Sequence, residues 1–228
     1  MTDAFLLTWR EWTFRYRAAS ITPARVFLLL HGWTGDENSM GIFANMLGPD
    51  CAALAPRAIH PAAQGGWSWR EIEPASWGFA TFDDLQPAAN RLAEFLDGWP
   101  RLAGLDAAQV HVIGFSQGAA LAYALAALHP GRVASVAALS GFLPSGIEVR
   151  LDAGALREKK VYVAHGAQDD IVPVLRAREA ARLLGISGAR VEYCESGGGH
   201  KAGKECLKGM EFFLKSDTID ANSKKEQK

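Results

Sequence analysis

Apolar residues along the chain alternate between two regimes. Short β-rich runs with little polar alternation read as strands buried on both faces: Val26 to Leu30, Cys51 to Ala55, Val110 to Gly114, Val133 to Leu139, Lys160 to His165 and Arg190 to Cys194. Between them lie stripes at helical spacing: Leu85, Ala88, Leu92, Phe95 and Trp99, then Val174, Ala177, Ala181 and Leu184, then Leu207, Met210 and Leu214. Asp83, with Gln86 three residues on, predicts the N-cap of the first helix; Pro173 at its first position and Gly185 at its end bracket the second. Near the N-terminus Leu7 and Trp9 alternate with polar neighbours, and Trp12, Phe14 and Tyr16 do so in the opposite phase. That change of phase predicts an antiparallel edge hairpin or one bulged strand. Strand and helix in alternation predict an α/β fold with a mainly parallel central sheet and helices on both faces. Ligands of such a fold bind at the carboxyl ends of the strands.

Composition narrows the partners. The 228 residues, 49% hydrophobic, suffice for one core that buries roughly 70% of the extended chain's surface. We therefore read residues 1–214 as a single domain. Lys215 to Lys228 is polar, with Ile219 its one aliphatic residue larger than alanine, and is expected to be a disordered tail. A net charge of -1 with both signs interspersed leaves no electrostatic footprint for nucleic acid. The longest apolar runs, Gly118 to Leu128 and Val133 to Leu143, stop short of the roughly 18 residues that span a bilayer, so no integral membrane association is expected. Met1 to Arg10 lacks a basic segment and does not read as a signal peptide. Cys51, Cys194 and Cys206 include no C-x-x-C pair of the redox or zinc type, which fits a reducing cytoplasm and no metal. The sequence leaves a homodimer open without arguing for one.

Directly after the strand Val110 to Ile113 comes Gly114-Phe115-Ser116-Gln117-Gly118, and the apolar helix Ala119 to Leu128 follows. This G-x-S-x-G in strand–turn–helix context places a serine on a sharp turn, where side chains at 114 and 118 would collide with backbone. An ordinary glycine-flanked turn has the same five-residue pattern; the flanking strand and helix favour a nucleophile. A serine hydroxyl needs a base, usually a histidine oriented by a carboxylate. Asp169 and Asp170 follow the strand ending at His165; Asp169 is the candidate acid and Asp170 its alternate, the latter also suited to capping the helix at Pro173. The last strand leads into Glu195-Ser196-Gly197-Gly198-Gly199-His200, a flexible loop that makes His200 the candidate base. His31, His60, His111, His129 and His165 fall in structural settings or carry no comparable loop. The order Ser116, Asp169, His200 differs from those of chymotrypsin- and subtilisin-type enzymes. An oxyanion hole requires two N–H donors: Gln117, next to the serine, and Trp33, in the loop His31-Gly32-Trp33-Thr34-Gly35-Asp36-Glu37.

With these motifs in hand, residues 24 to 214 resemble the α/β-hydrolase superfamily, and within it the phospholipase/carboxylesterase family that includes acyl-protein thioesterases and small bacterial carboxylesterases. The resemblance rests on Leu30-His31-Gly32 with Gly35-Asp36, on the Gly114 to Gly118 elbow and on Leu139-Ser140-Gly141-Phe142-Leu143-Pro144. It rests also on His165-Gly166 with Asp169 and Val172-Pro173, and on Gly199-His200. It implies Ser116 as nucleophile, His200 as base and then acid, Asp169 as its orienter, and the Trp33 and Gln117 N–H groups as oxyanion donors, with no cofactor. The sequence departs from the better-known thioesterases in Trp33-Thr34 and in the Trp-rich stretch from Gly65 to Trp77. Trp67, Trp69, Trp77 and Phe79, with Phe142 and Leu143, are candidates to wall an acyl pocket or, equally, to anchor loops. The expected activity is hydrolysis of small-molecule esters or thioesters of short to medium acyl chains. The rivals are a ligand-binding module on the same scaffold and a serine peptidase of that fold.

Overall fold

The computed structural model describes residues 4–22, 24–72 and 78–223, with side chains to Lys215. The chain opens with β1 (Phe5–Trp9), β2 (Trp12–Arg17), β3 (Arg25–Leu30), the short α1 (Gly41–Met46), β4 (Cys51–Pro56), β5 (His60–Pro61) and β6 (Trp67–Ser68). It continues through α2 (Phe82–Leu102), β7 (Val110–Phe115), α3 (Gln117–Leu128), β8 (Val133–Leu139) and α4 (Glu148–Asp152). It closes with β9 (Lys160–Gly166), α5 (Val174–Ile186), β10 (Arg190–Ser196) and α6 (Lys204–Ser223).

Eight strands form one sheet in the order β1-β2-β4-β3-β7-β8-β9-β10. β1 pairs with β2 and β2 with β4 antiparallel; the remaining neighbours are parallel. The six runs read as strands are β3, β4, β7, β8, β9 and β10, and the N-terminal alternation is the hairpin of β1 and β2. β10, however, is the edge strand and mostly exposed rather than buried on both faces, since it has a neighbour on one side alone. Side chains from α2, α3 and α5 pack on one face of the sheet; those from α1 and α6 pack on the other. Helix α3 has no polar stripe and needs none, because every residue from Gln117 to Ala127 is buried between the sheet and α2. Among the described residues no helix is long and apolar enough to cross a membrane.

Three local expectations are corrected. Helix α2 is capped by Thr81 rather than Asp83: Thr81 Oγ1 accepts from Asp84 N (3.2 Å) and Asp84 Oδ2 accepts from Thr81 N (2.8 Å). A reciprocal box at 81 and 84 satisfies two terminal N–H groups, where Asp83 and Gln86 lie inside the first turns. Pro173 is the N-cap of α5, not its first residue, and the helix runs to Ile186. Helix α6 continues to Ser223, well beyond the Lys215 at which a disordered tail is expected, because a helix nucleated by the buried Cys206, Met210 and Phe213 extends cheaply into polar sequence. Residues 224–228 lie outside the described ones.

The cysteines also differ from expectation. Cys194, near the end of β10, and Cys206, in the first turn of α6, form a disulfide with Cα atoms 5.5 Å apart, while Cys51 is free and buried. They meet because α6 packs back across β9 and β10. The cysteines therefore no longer argue for a reducing compartment. The bond brackets the loop that carries His200. Closing a ring of this size stabilises by about 3 kcal/mol through the unfolded chain's entropy. Reduction of the intact protein is expected to lower the urea midpoint accordingly, and an unmoved midpoint would show that other contacts hold the loop.

Candidate active site

Ser116 occupies the single residue between β7 and α3, with φ 54° and ψ -117°, a region that costs an L-residue about 1–3 kcal/mol. Its N–H donates to Leu139 O at the end of β8 (2.9 Å), which pins the turn to the neighbouring strand. The flanking glycines are steric necessities. A Cβ at Gly114 would lie 2.3 Å from Gly118 O, and one at Gly118 would lie 2.2 Å from Leu30 O. The first lets the chain fold back on itself, and the second lets α3 press against the end of β3.

His200 stands on the loop after β10, and this loop is laced to the one after β9. Ala167 N donates to Ser196 O and Gln168 N to Gly198 O, each at 2.8 Å. A Cβ at Gly166 would come within 2.1 Å of Gly199 O, so this close approach also requires glycine. The lacing aligns three side chains drawn from loops after β7, β9 and β10. His200 Nε2 lies 3.0 Å from Ser116 Oγ, and His200 Nδ1 lies 2.8 Å from Asp169 Oδ2. With the ring hydrogen on Nδ1 donating to the carboxylate, Nε2 is left to accept the hydroxyl proton. The Asp169 side chain is fully buried, and its Oδ1 accepts from Ile171 N (3.0 Å) and Val172 N (2.8 Å). Asp169 thus caps the turn before α5 and faces the histidine at once, and the expected alternate, Asp170, takes neither part.

The loop after β3 is held by groups distant in sequence. His31 is buried, with Nδ1 donating to Gly32 O (2.7 Å) and Nε2 accepting from Ala58 N (3.0 Å). Burial holds its pKa below the ordinary histidine value, as suits an imidazole that must keep one nitrogen bare. Glu37, 4% exposed, accepts a two-pronged bond from Arg57 at 2.7 and 2.9 Å, which lowers its carboxyl below the usual range. Trp33 and Gln117 both line the cavity that opens on Ser116. The Gln117 side chain points away, its Oε1 accepting from Trp69 N (2.9 Å). Its N–H belongs to the first turn of α3, where a helix has no internal acceptor.

That cavity, of about 230 Å³, is otherwise walled by Ile72, Phe79, Phe142, Ile171 and Val172, with Arg70 the one charged side chain among the described residues that line it. Of the described aromatic candidates Phe142 and Phe79 stand here, ring edge to ring face at 4.8 Å. Trp67 is instead a loop anchor: β6 exchanges hydrogen bonds with residues 34 and 35, and the ring lies under the Arg57 guanidinium. Trp69 is buried against His31 and donates its indole N–H to His31 O (2.8 Å). Leu143 packs on the core rather than in the cavity, and Trp77 lies outside the described residues. Ile171 and Val172 are not among the expected cavity residues, Val172 being read only as part of the motif Val172-Pro173, although their place right after Asp169 is itself the signal that they must flank the site.

A family model described as Phospholipase/Carboxylesterase matches residues 17–217. Two curated proteins of Oryza sativa subsp. japonica are similar over part of the chain. One, a probable carboxylesterase, is 32% identical over 126 residues, covering 54% of this chain and 47% of that protein. The other, a probable inactive carboxylesterase, is 34% identical over 93 residues, covering 40% and 38%. These matches span less than half the length of either rice protein. A carboxylesterase from Mesorhizobium loti shares the fold, with a TM-score of 0.76 at 23% identity over 92% of this chain and 98% of that one.

Proposed function

The chain belongs to the phospholipase/carboxylesterase family, and from that premise we propose that it is a serine esterase cleaving carboxylic esters or thioesters of short to medium acyl chains. The observation that carries the reading is the unbroken relay from Ser116 Oγ through His200 to the buried Asp169 carboxylate. Ser116 Oγ attacks the carbonyl carbon as its proton passes to His200 Nε2, and the oxygen gains charge toward the Trp33 and Gln117 N–H groups. The intermediate collapses, the leaving oxygen or sulfur takes the proton from His200, and an acyl-Ser116 ester remains. Water then attacks this ester, giving its proton to His200, and the carboxylic acid departs as Ser116 is restored. The cavity is apolar and smaller than the roughly 300–1,000 Å³ of drug-sized ligand sites, which supports short to medium chains.

The test is hydrolysis of p-nitrophenyl esters from acetate to palmitate by the purified protein. Turnover is expected with an optimum at short to medium chains. One of the rice relatives is described as inactive, which keeps ligand binding without turnover as the second reading. Absence of turnover across the series, with saturable binding of an apolar ligand, would favour it.

A further inference from the structure

His165 is fully buried at the end of β9, and its surroundings are not those of a plain core histidine. Its Nε2 lies 2.8 Å from Val172 O and 3.2 Å from Asp169 Oδ2, while its Nδ1 is buried with no hydrogen-bond partner among the described residues. Both acceptors sit at Nε2 and none at Nδ1. A buried N–H without an acceptor costs about 1–3 kcal/mol, so the ring hydrogen belongs on Nε2, bonded to the Val172 carbonyl and close to the carboxylate. Asp169 Oδ2 then receives the His200 N–H and faces the His165 N–H with the two heavy atoms 3.2 Å apart, and Oδ1 receives the two backbone N–H groups of Ile171 and Val172. Three hydrogen bonds and one close N–H dipole thus surround the carboxylate.

We propose that His165 is a positioning residue for the proposed reaction: it fixes the Asp169 carboxylate and, by facing Oδ2, limits how strongly that oxygen holds the His200 proton. The inference rests on the serine-esterase reading. The other ionisable groups at this end of β9 are Asp170, exposed one residue along, and Glu195, the register partner of His165 on β10. Glu195 is itself tied to Arg178 and Tyr193. Neither bonds to the carboxylate, so among the described residues the one further N–H that faces Asp169 Oδ2 is that of His165.

Two variants and one wild-type measurement test this. His165→Leu removes the donor; His165→Gln restores an N–H at similar reach. His165→Leu is expected to lower kcat about tenfold, as outer hydrogen-bond partners commonly do, with KM within a factor of two or three. Its Oδ2, relieved of one N–H dipole, favours the protonated His200 ring, so the acidic limb of the kcat/KM profile moves to higher pH. His165→Gln is expected to recover most of both effects. Nitrogen-15 NMR of the wild-type imidazoles should show His165 as the Nε2–H tautomer and the His200 titration displaced upward in His165→Leu. An Nδ1–H tautomer in the wild type overturns the inference whether or not a variant folds. So does a folded His165→Leu variant with unchanged kcat and pH limb, or equal losses in both variants with the limb unmoved. The NMR readout needs no turnover: a wild-type protein that hydrolyses no ester but shows this tautomer and displacement would refute the esterase reading and leave the positioning role standing.

Discussion

Ser116→Ala is expected to abolish ester turnover by roughly four to six orders of magnitude in kcat while the protein stays folded, because the members of such a relay act as a unit. The geometry explains why no neighbour can substitute. His200 Nε2 accepts a hydrogen bond from Ser116 Oγ at 3.0 Å, and among the described residues no other hydroxyl bonds to that ring. Ser116 also holds φ 54° and ψ -117°, so alanine inherits the same backbone cost. Glycine does not, and Ser116→Gly should therefore be about 1 kcal/mol more stable than Ser116→Ala while equally inactive. Thermal unfolding of the two variants beside the ester assay separates strain from chemistry. Near wild-type turnover by either would refute the proposed mechanism, and equal stability would show that the turn stores no strain.

The second large effect is on stability. Gly118→Ala places a Cβ 2.2 Å from Leu30 O and 2.5 Å from His31 O, both backbone atoms at the end of a central strand that cannot rotate aside. Overpacking in a core costs typically 1–3 kcal/mol, and two backbone clashes at the junction of β3 and α3 put this change at about 3 kcal/mol or more. Gly185→Ala is the control of opposite sign. Its Cβ meets nothing within 4 Å and its helix gains from alanine, so a rise of about 0.5 kcal/mol is expected. Chemical denaturation of both variants checks the pair. A Gly118→Ala protein as stable as the wild type would mean that α3 can slide along the sheet, and the serine with it.

These two expectations differ in how much of them was visible before the fold. That Ser116 stands on a tight turn follows from Gly114 and Gly118 around it in a strand-to-helix context, all within five residues of chain. That Gly118 is jammed against Leu30 and His31 does not, because nearly ninety residues separate them (118 less 30) and only the pairing of β3 with β7 brings them together. The same division runs through the site. His200 was legible from its glycine loop and Asp169 from its place after a strand. Their reach to Ser116 was not, since it depends on backbone bonds between the loops after β9 and β10.

The tryptophan-rich stretch shows the limit most clearly. Its composition admits both a pocket wall and a loop anchor, and the choice turns on which way each ring points. Pairing of β6 with residues 34 and 35 sends Trp67 to Arg57 and Trp69 to His31, leaving Phe79 and Phe142 to face the cavity. The bond between Cys194 and Cys206 and the second histidine on Asp169 were hidden for the same reason. Period, turn chemistry and chain order are properties of short segments, and by themselves they determined the alternating α/β architecture, the serine elbow and the order of the three relay residues. Contacts between segments distant in the chain exist only once the sheet has set strand order and register. The tertiary structure alone therefore decided which side chains share the cavity, which cysteines pair, and which donors hold the Asp169 carboxylate.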